Sequence, residues 1–82
     1  LKIYQDSDSF KFSIDSILLA NFVTINNAVK NILDIGTGNA PIAMMLTKRT
    51  NAFITGIEIQ KCSFVLADES IKYNKLENQM VI

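Results

Sequence analysis

The run from Asn31 to Pro41, Asn-Ile-Leu-Asp-Ile-Gly-Thr-Gly-Asn-Ala-Pro, constrains this chain more than any other feature. Asn31 to Ile35 has the pattern of an apolar strand, Gly36 and Gly38 make a glycine turn, and Pro41 opens an apolar helix. Glycine lets the backbone take positive φ and come close to a ligand, and the first N–H groups of a new helix face whatever binds there. Twenty residues after Gly38, Glu58 ends a second apolar run that begins at Phe53. A ribose-binding carboxylate is expected roughly 20 residues beyond such a turn. Together these elements read as a nucleotide-cofactor site.

The rest of the chain fits an alternation of strands and helices. Leu1 to Tyr4 and Ser9 to Phe12 are short alternating runs separated by Gln5-Asp-Ser-Asp8, which predicts a hairpin or an extended arm. Ser13 or Asp15 can cap a helix reaching about Asn26, with Ile14, Ile17, Leu18, Phe22 and Ile25 at helical spacing. Strands are expected over Asn31–Ile35 and Phe53–Glu58, helices from Pro41 to about Lys48 and from about Lys61 to Tyr73, and a third strand from near Met80. Parallel strands need crossovers, and these are right-handed, so the class is α/β with a βαβαβ parallel sheet. The first two strands are apolar nearly throughout, as expected where both faces of a sheet are covered.

Eighty-two residues allow one small domain, and the chain reads as a single partial domain, 1–82, whose residues 1–27 form an upstream arm and helix. It starts at Leu1 and its last residues look like the start of a strand, so it reads as a fragment. Eight basic and eight acidic residues cancel, which removes any global field toward nucleic acid or an anionic membrane and leaves only local contacts. Cys62 is the one cysteine and there is no histidine, so an internal disulfide is excluded and no metal site is expected. With no apolar stretch of roughly 18 residues and no basic-then-apolar leader, a soluble, cytoplasmic protein is expected.

Asp34 separates two cofactor classes. In dinucleotide dehydrogenases the position two residues before the first glycine is usually apolar, and a third glycine falls where this chain has Pro41. An acid at a strand tip suits a cationic ligand instead. S-adenosyl-L-methionine carries a sulfonium and an α-ammonium, and a carboxylate can hold its amino-acid end by a charge-assisted hydrogen bond. Asp34 could also simply cap the loop, and Gly36 and Gly38 could be ordinary turn glycines. Glu58 would accept from both ribose hydroxyls, Ile59 could flank the adenine ring, and Gln60 could reach the adenine edge. Asn74 reads as a helix C-terminal residue tolerant of the left-handed region, and Cys62 as buried or half-buried filler. Met44 and Met45 read as core, and Lys48-Arg49 as complementing the dipole of their helix.

Asp34-Ile-Gly-Thr-Gly-Asn39 resembles motif I of class I S-adenosylmethionine-dependent methyltransferases, and Gly56-Ile-Glu58-Ile59 resembles their acidic-loop motif. The upstream run Phe10 to Phe22 is similar to the segment before motif I in bacterial adenine amino methyltransferases that modify valine tRNA near the anticodon. Its Thr/Ser-x-Asp-x-x-Leu-Leu pattern is Ser13, Asp15, Leu18 and Leu19 here. The resemblance implies a Rossmann-like methyltransferase fold and S-adenosyl-L-methionine as cofactor. Asp34, Gly36, Thr37, Gly38, Asn39 and Ala40 would line the methionine end, with Glu58, Ile59 and Gln60 at the adenosine. Ser13 and Asp15 would close the site from the upstream helix. Ala40 stands where the family often has glycine.

Family members carry an Asn/Asp-Pro-Pro-Tyr/Phe tetrapeptide after strand four, which positions the amine for in-line attack on the methyl carbon. This chain has no Pro-Pro, so no catalytic residue is assigned within it. The implied activity of a full-length protein is methylation of the exocyclic amine of adenine in tRNA. Three alternatives stay open: a methyltransferase acting on a protein glutamine amide, a dinucleotide-binding oxidoreductase, and a non-catalytic interaction module that pairs an exposed sheet edge.

Overall fold

A computed structural model of the chain describes residues 1–5 and 14–82. The expected run Ser9 to Phe12 and the capping residue Ser13 lie outside the described residues. In chain order the elements are α1 (Ile14–Phe22), β1 (Asn31–Ile35), α2 (Pro41–Leu46), β2 (Phe53–Ile57), α3 (Lys61–Tyr73) and β3 (Met80–Val81). The three strands form one parallel sheet in the order β1-β2-β3. Right-handed crossovers between strands that add in sequence order put α2 and α3 on the same side of the sheet.

The burial pattern follows from that placement. Successive residues of a strand face opposite sides, and the register pairs Ile32 with Ile54 and Ile54 with Met80. Ile54 and Met80 are buried beneath the helices, and Ile32 packs against the same core. Met44 of α2, Ala67 and Ile71 of α3 and Ala20 of α1 complete it, and α1 packs against α2. Burying a side chain such as Met44 or Ile54 contributes about 1.5–3 kcal/mol.

The opposite face differs from the sequence expectation. Leu33, Ile35, Phe53, Ile57 and Val81 are exposed, Ile35 at 76% and Ile57 at 51%. The apolar strands are those of a sheet made to be covered on both sides, but the helices of the described residues lie on one side.

Smaller corrections have local causes. α1 stops at Phe22, short of Asn26, and Ile25 reaches the core from the following loop, so its apolar character served packing without helix. α2 ends at Leu46 because the next three amides, Thr47 to Arg49, bond three residues back and tighten the chain into turns. At the end of α3, Asn74 has φ −88° and the left-handed residue is Lys75, at φ 57°. Cys62 is exposed. Arg49 does not simply complement its own helix, since its Nη1 donates to the carbonyl of Ala20 at 2.7 Å and fastens α1.

Residues 1–5 run along α3 as an arm held by side chains. Asn74 Oδ1 accepts from the Lys2 amide at 2.9 Å and its Nδ2 donates to the Lys2 carbonyl. The buried Ser70 hydroxyl accepts from the Tyr4 amide at 2.8 Å, and the Tyr4 and Tyr73 rings meet edge to face.

Candidate functional site

Parallel α/β sheets bind ligands beyond the carboxyl ends of their strands, where each chain turns from strand to helix. Here that edge is made by residues 36–40 after β1 and 58–60 after β2. Gly36, Gly38 and Ala40 all take positive φ, at 71°, 62° and 67°. Three left-handed residues in five curl the loop back on itself. It is fastened to the neighbouring strand: the amides of Gly36 and Thr37 both donate to the Ile57 carbonyl, at 2.8 and 3.0 Å.

Two carboxylates flank the loop. Asp34, half-buried at the end of β1, accepts from the Thr37 hydroxyl at 2.7 Å. Glu58, just past β2, accepts from the Gly38 amide through Oε1 and from the Gln60 amide through Oε2, both at 2.8 Å. The sequence spacing of Gly38 and Glu58 therefore becomes a direct contact. A carboxylate offers about four lone-pair sites, so one amide on each oxygen leaves acceptor capacity for further donors.

Gly56 emerges as a residue the sequence pattern undervalued. The register sets it opposite Asp34, and a Cβ built on it would lie 2.8 Å from Thr37 Cγ2, 2.9 Å from Thr37 Cβ and 2.8 Å from Ile82 Cδ1. Its missing side chain makes the room in which Thr37 reaches Asp34. The sequence placed Gly56 in the acidic-loop motif without a role of its own, and the strand register supplies that role.

Room for a ligand lies on the other side of the loop. At Gly36 and at Gly38 an added Cβ would meet nothing within 4 Å, so the backbone there borders open space. Ile59 is 97% exposed between Glu58 and Gln60, an apolar side chain offered to solvent at the edge of the loop. Two carboxylates, open backbone and an exposed apolar side chain suit the ammonium, ribose hydroxyls and adenine of an S-adenosyl ligand.

The other predicted positions divide by role. The Asn39 side chain is buried and donates to the Tyr4 carbonyl at 2.8 Å, tying the loop to the N-terminal arm, so only its backbone remains to meet a ligand. Ala40 is fully buried and its amide donates to the Thr37 carbonyl at 2.9 Å. Asp15 is exposed in the first turn of α1, and Ser13 lies outside the described residues. Among the described residues no group of three or more His, Cys, Asp or Glu could hold a metal ion, and no helix is long and apolar enough to cross a membrane.

Comparison with known proteins agrees with the fold. No protein-family model matches the chain. Over 80 residues it is 36% identical to the tRNA1(Val) (adenine(37)-N6)-methyltransferase of Haemophilus influenzae strain PittGG, covering 95% of this chain and 34% of that protein. Over 69 residues it is 41% identical to the protein of the same name from Glaesserella parasuis serovar 5, covering 83% of this chain and 29% of that one. The chain thus spans about a third of the length of the curated relatives it matches.

Among solved structures, a candidate caffeoyl-CoA O-methyltransferase from Staphylococcus aureus superposes with a TM-score of 0.67 at 25% identity, covering 88% of this chain and 34% of that one. The YcgJ protein of Bacillus subtilis gives 0.66 at 17% identity, covering 83% of this chain and 29% of that one, a likeness of fold alone. The sheet and its helices are those of the class I methyltransferase fold, in part, and the resemblance read from the sequence is borne out by the relatives' names.

Proposed function

We propose that residues 1–82 form the S-adenosyl-L-methionine-binding part of a methyltransferase whose full-length form acts on the exocyclic amine of adenine in tRNA. The observation that carries this reading is the pair of carboxylates, Asp34 and Glu58, on the ends of neighbouring strands, joined to one loop of left-handed residues by Thr37 and Gly38. The tRNA substrate is carried over from the names of the relatives. A cytoplasmic location accords with such a substrate.

In this reading Asp34 faces the cationic amino-acid end, where a charge-assisted hydrogen bond is strongest. Gly36, Thr37, Gly38, Asn39 and Ala40 offer backbone along the methionine portion, Thr37 fixing Asp34 from behind. Glu58 accepts from the ribose hydroxyls on lone pairs not used by Gly38 and Gln60, and Ile59 and Gln60 border the adenine. Asp15, in the first turn of α1, closes the site from the upstream side. When bound, the cofactor supplies an electrophilic methyl group. This chain's residues bind and orient it, and no catalytic residue is assigned among them.

The test is calorimetric titration of the full-length protein with S-adenosyl-L-methionine, together with a methylation assay on tRNA. Binding lost in Asp34→Ala and Glu58→Ala supports the cofactor assignment, whereas wild-type affinity in both variants overturns it. Cofactor binding without methylation of tRNA would leave the cofactor site standing and remove the substrate.

A further inference from the structure

A second concavity lies at the opposite end of the strands. It is a depression of about 570 Å³ enclosed by the segment that enters β1, Ile25 to Lys30, and the one that enters β2, Thr47 to Ala52. This volume falls within the range of ligand pockets, roughly 300–1,000 Å³. Its lining holds Lys30, Lys48 and Arg49 with Asn26, Asn27 and Asn51, and among the described residues lining it none is Asp or Glu. A chain with no net charge thus gathers three of its eight cations at one concave place.

The walls are built. Asn26 Oδ1 accepts from the Ala28 amide at 2.9 Å and the Val29 amide donates to the Asn26 carbonyl, closing the first segment into a turn. Thr50 Oγ1 accepts from the Ala52 amide at 3.1 Å, and Gln79 Nε2 donates to the Thr50 carbonyl at 2.6 Å. The Phe53 amide donates to the Lys30 carbonyl and joins the two walls. Arg49 is anchored by one guanidinium nitrogen on Ala20, a bond that uses one of its five N–H donors.

We propose that this depression binds the phosphodiester backbone of the RNA substrate, with Lys30, Lys48 and Arg49 as the phosphate contacts. The inference rests on the reading of the carboxyl-end site as that of an RNA methyltransferase. Five strand residues at about 3.3 Å each separate the two ends by roughly 17 Å. An RNA backbone carries one phosphate per nucleotide, so a short run of nucleotides covers that distance. Contacts of this kind fix the register of the nucleic acid without reading its bases.

The experiment measures RNA binding and methylation by the full-length protein across a salt series, for wild type and for Lys30→Gln/Lys48→Gln. The slope of log affinity against log salt should fall by about 1 for each lysine. KM for RNA should rise several-fold, while kcat and S-adenosyl-L-methionine affinity hold. Asn51→Asp, which adds a negative charge and keeps both lysines, should weaken RNA binding in the same direction. Lys2→Gln/Lys72→Gln, with the same loss of charge outside the depression, should leave the slope and KM unchanged. Equal effects from the two lysine pairs, or an unchanged slope and KM in Lys30→Gln/Lys48→Gln, overturn the proposal. Failure of the wild type to methylate any RNA would remove the substrate reading, and this inference with it.

Discussion

The two ends of the sheet are built from the same strands and differ in almost every physical respect. At the carboxyl end a short loop is drawn tight by bonds from Gly36, Thr37 and Gly38 to Ile57 and Glu58, and the acids Asp34 and Glu58 flank it. At the amino end two segments stand apart around an open depression whose charges are Lys30, Lys48 and Arg49. A net charge of zero conceals this separation. Composition excluded a global field, yet the fold sets two acids at one site and three bases at the other, where each group acts locally.

If the carboxyl end is the tightly built one, substitutions there should cost far more than at the amino end. The largest effect is expected from Gly56→Ala, whose methyl group would meet Thr37 and Ile82 at under 3 Å. Overpacking of this kind costs about 1–3 kcal/mol, read by urea unfolding, and should lower cofactor affinity as well. Asn51→Ala at the amino end should stay within about 0.5 kcal/mol. Equal costs would erase the contrast.

Thr37→Val comes next. It keeps the shape of the side chain and removes the donor to Asp34. Hydrogen bonds to charged groups contribute about 1.5–3 kcal/mol when fully expressed, and at this half-buried carboxylate the loss should be smaller. It should appear chiefly as weaker cofactor binding in a titration, with the unfolding midpoint little changed. An affinity equal to wild type would show that Asp34 needs no positioning.

Among the carboxyl-end substitutions Ala40→Gly should have the smallest effect, because its contributions oppose one another. Glycine relieves a left-handed alanine, a strain of about 1–2 kcal/mol. It also forfeits a buried methyl worth about 0.8 kcal/mol and gains freedom in the unfolded chain. A net change under about 1 kcal/mol in thermal unfolding is expected. A loss as large as that of Gly56→Ala would contradict the left-handed assignment of Ala40.

How far the sequence reaches can be judged residue by residue. β1, α3 and the start of β3 follow directly from apolar pattern and turn residues, and the contact of Gly38 with Glu58 turns a spacing into geometry. Ile25 misled, because helical periodicity and core packing from a loop look the same in one dimension. Leu33, Ile35 and Ile57 misled differently: an apolar residue announces that its face is suited to burial and says nothing of whether this chain supplies the cover. Gly56 and Asn39 were hidden for a third reason. Their roles depend on the residues across from them, Thr37 and Tyr4, and such pairings exist only once strands and arm are in register. The amino-end depression was likewise invisible, since Lys30 and Lys48 are far apart in sequence and meet only around the strand starts.

We propose that Asp34 and Glu58 together make one cofactor site at the tight end. Its most direct test is titration calorimetry of S-adenosyl-L-methionine into the full-length protein carrying Asp34→Ala, Glu58→Ala or both. The site described here predicts that each single change removes most of the binding and that the double change adds little further. Saturable binding at wild-type affinity in the double variant would contradict it.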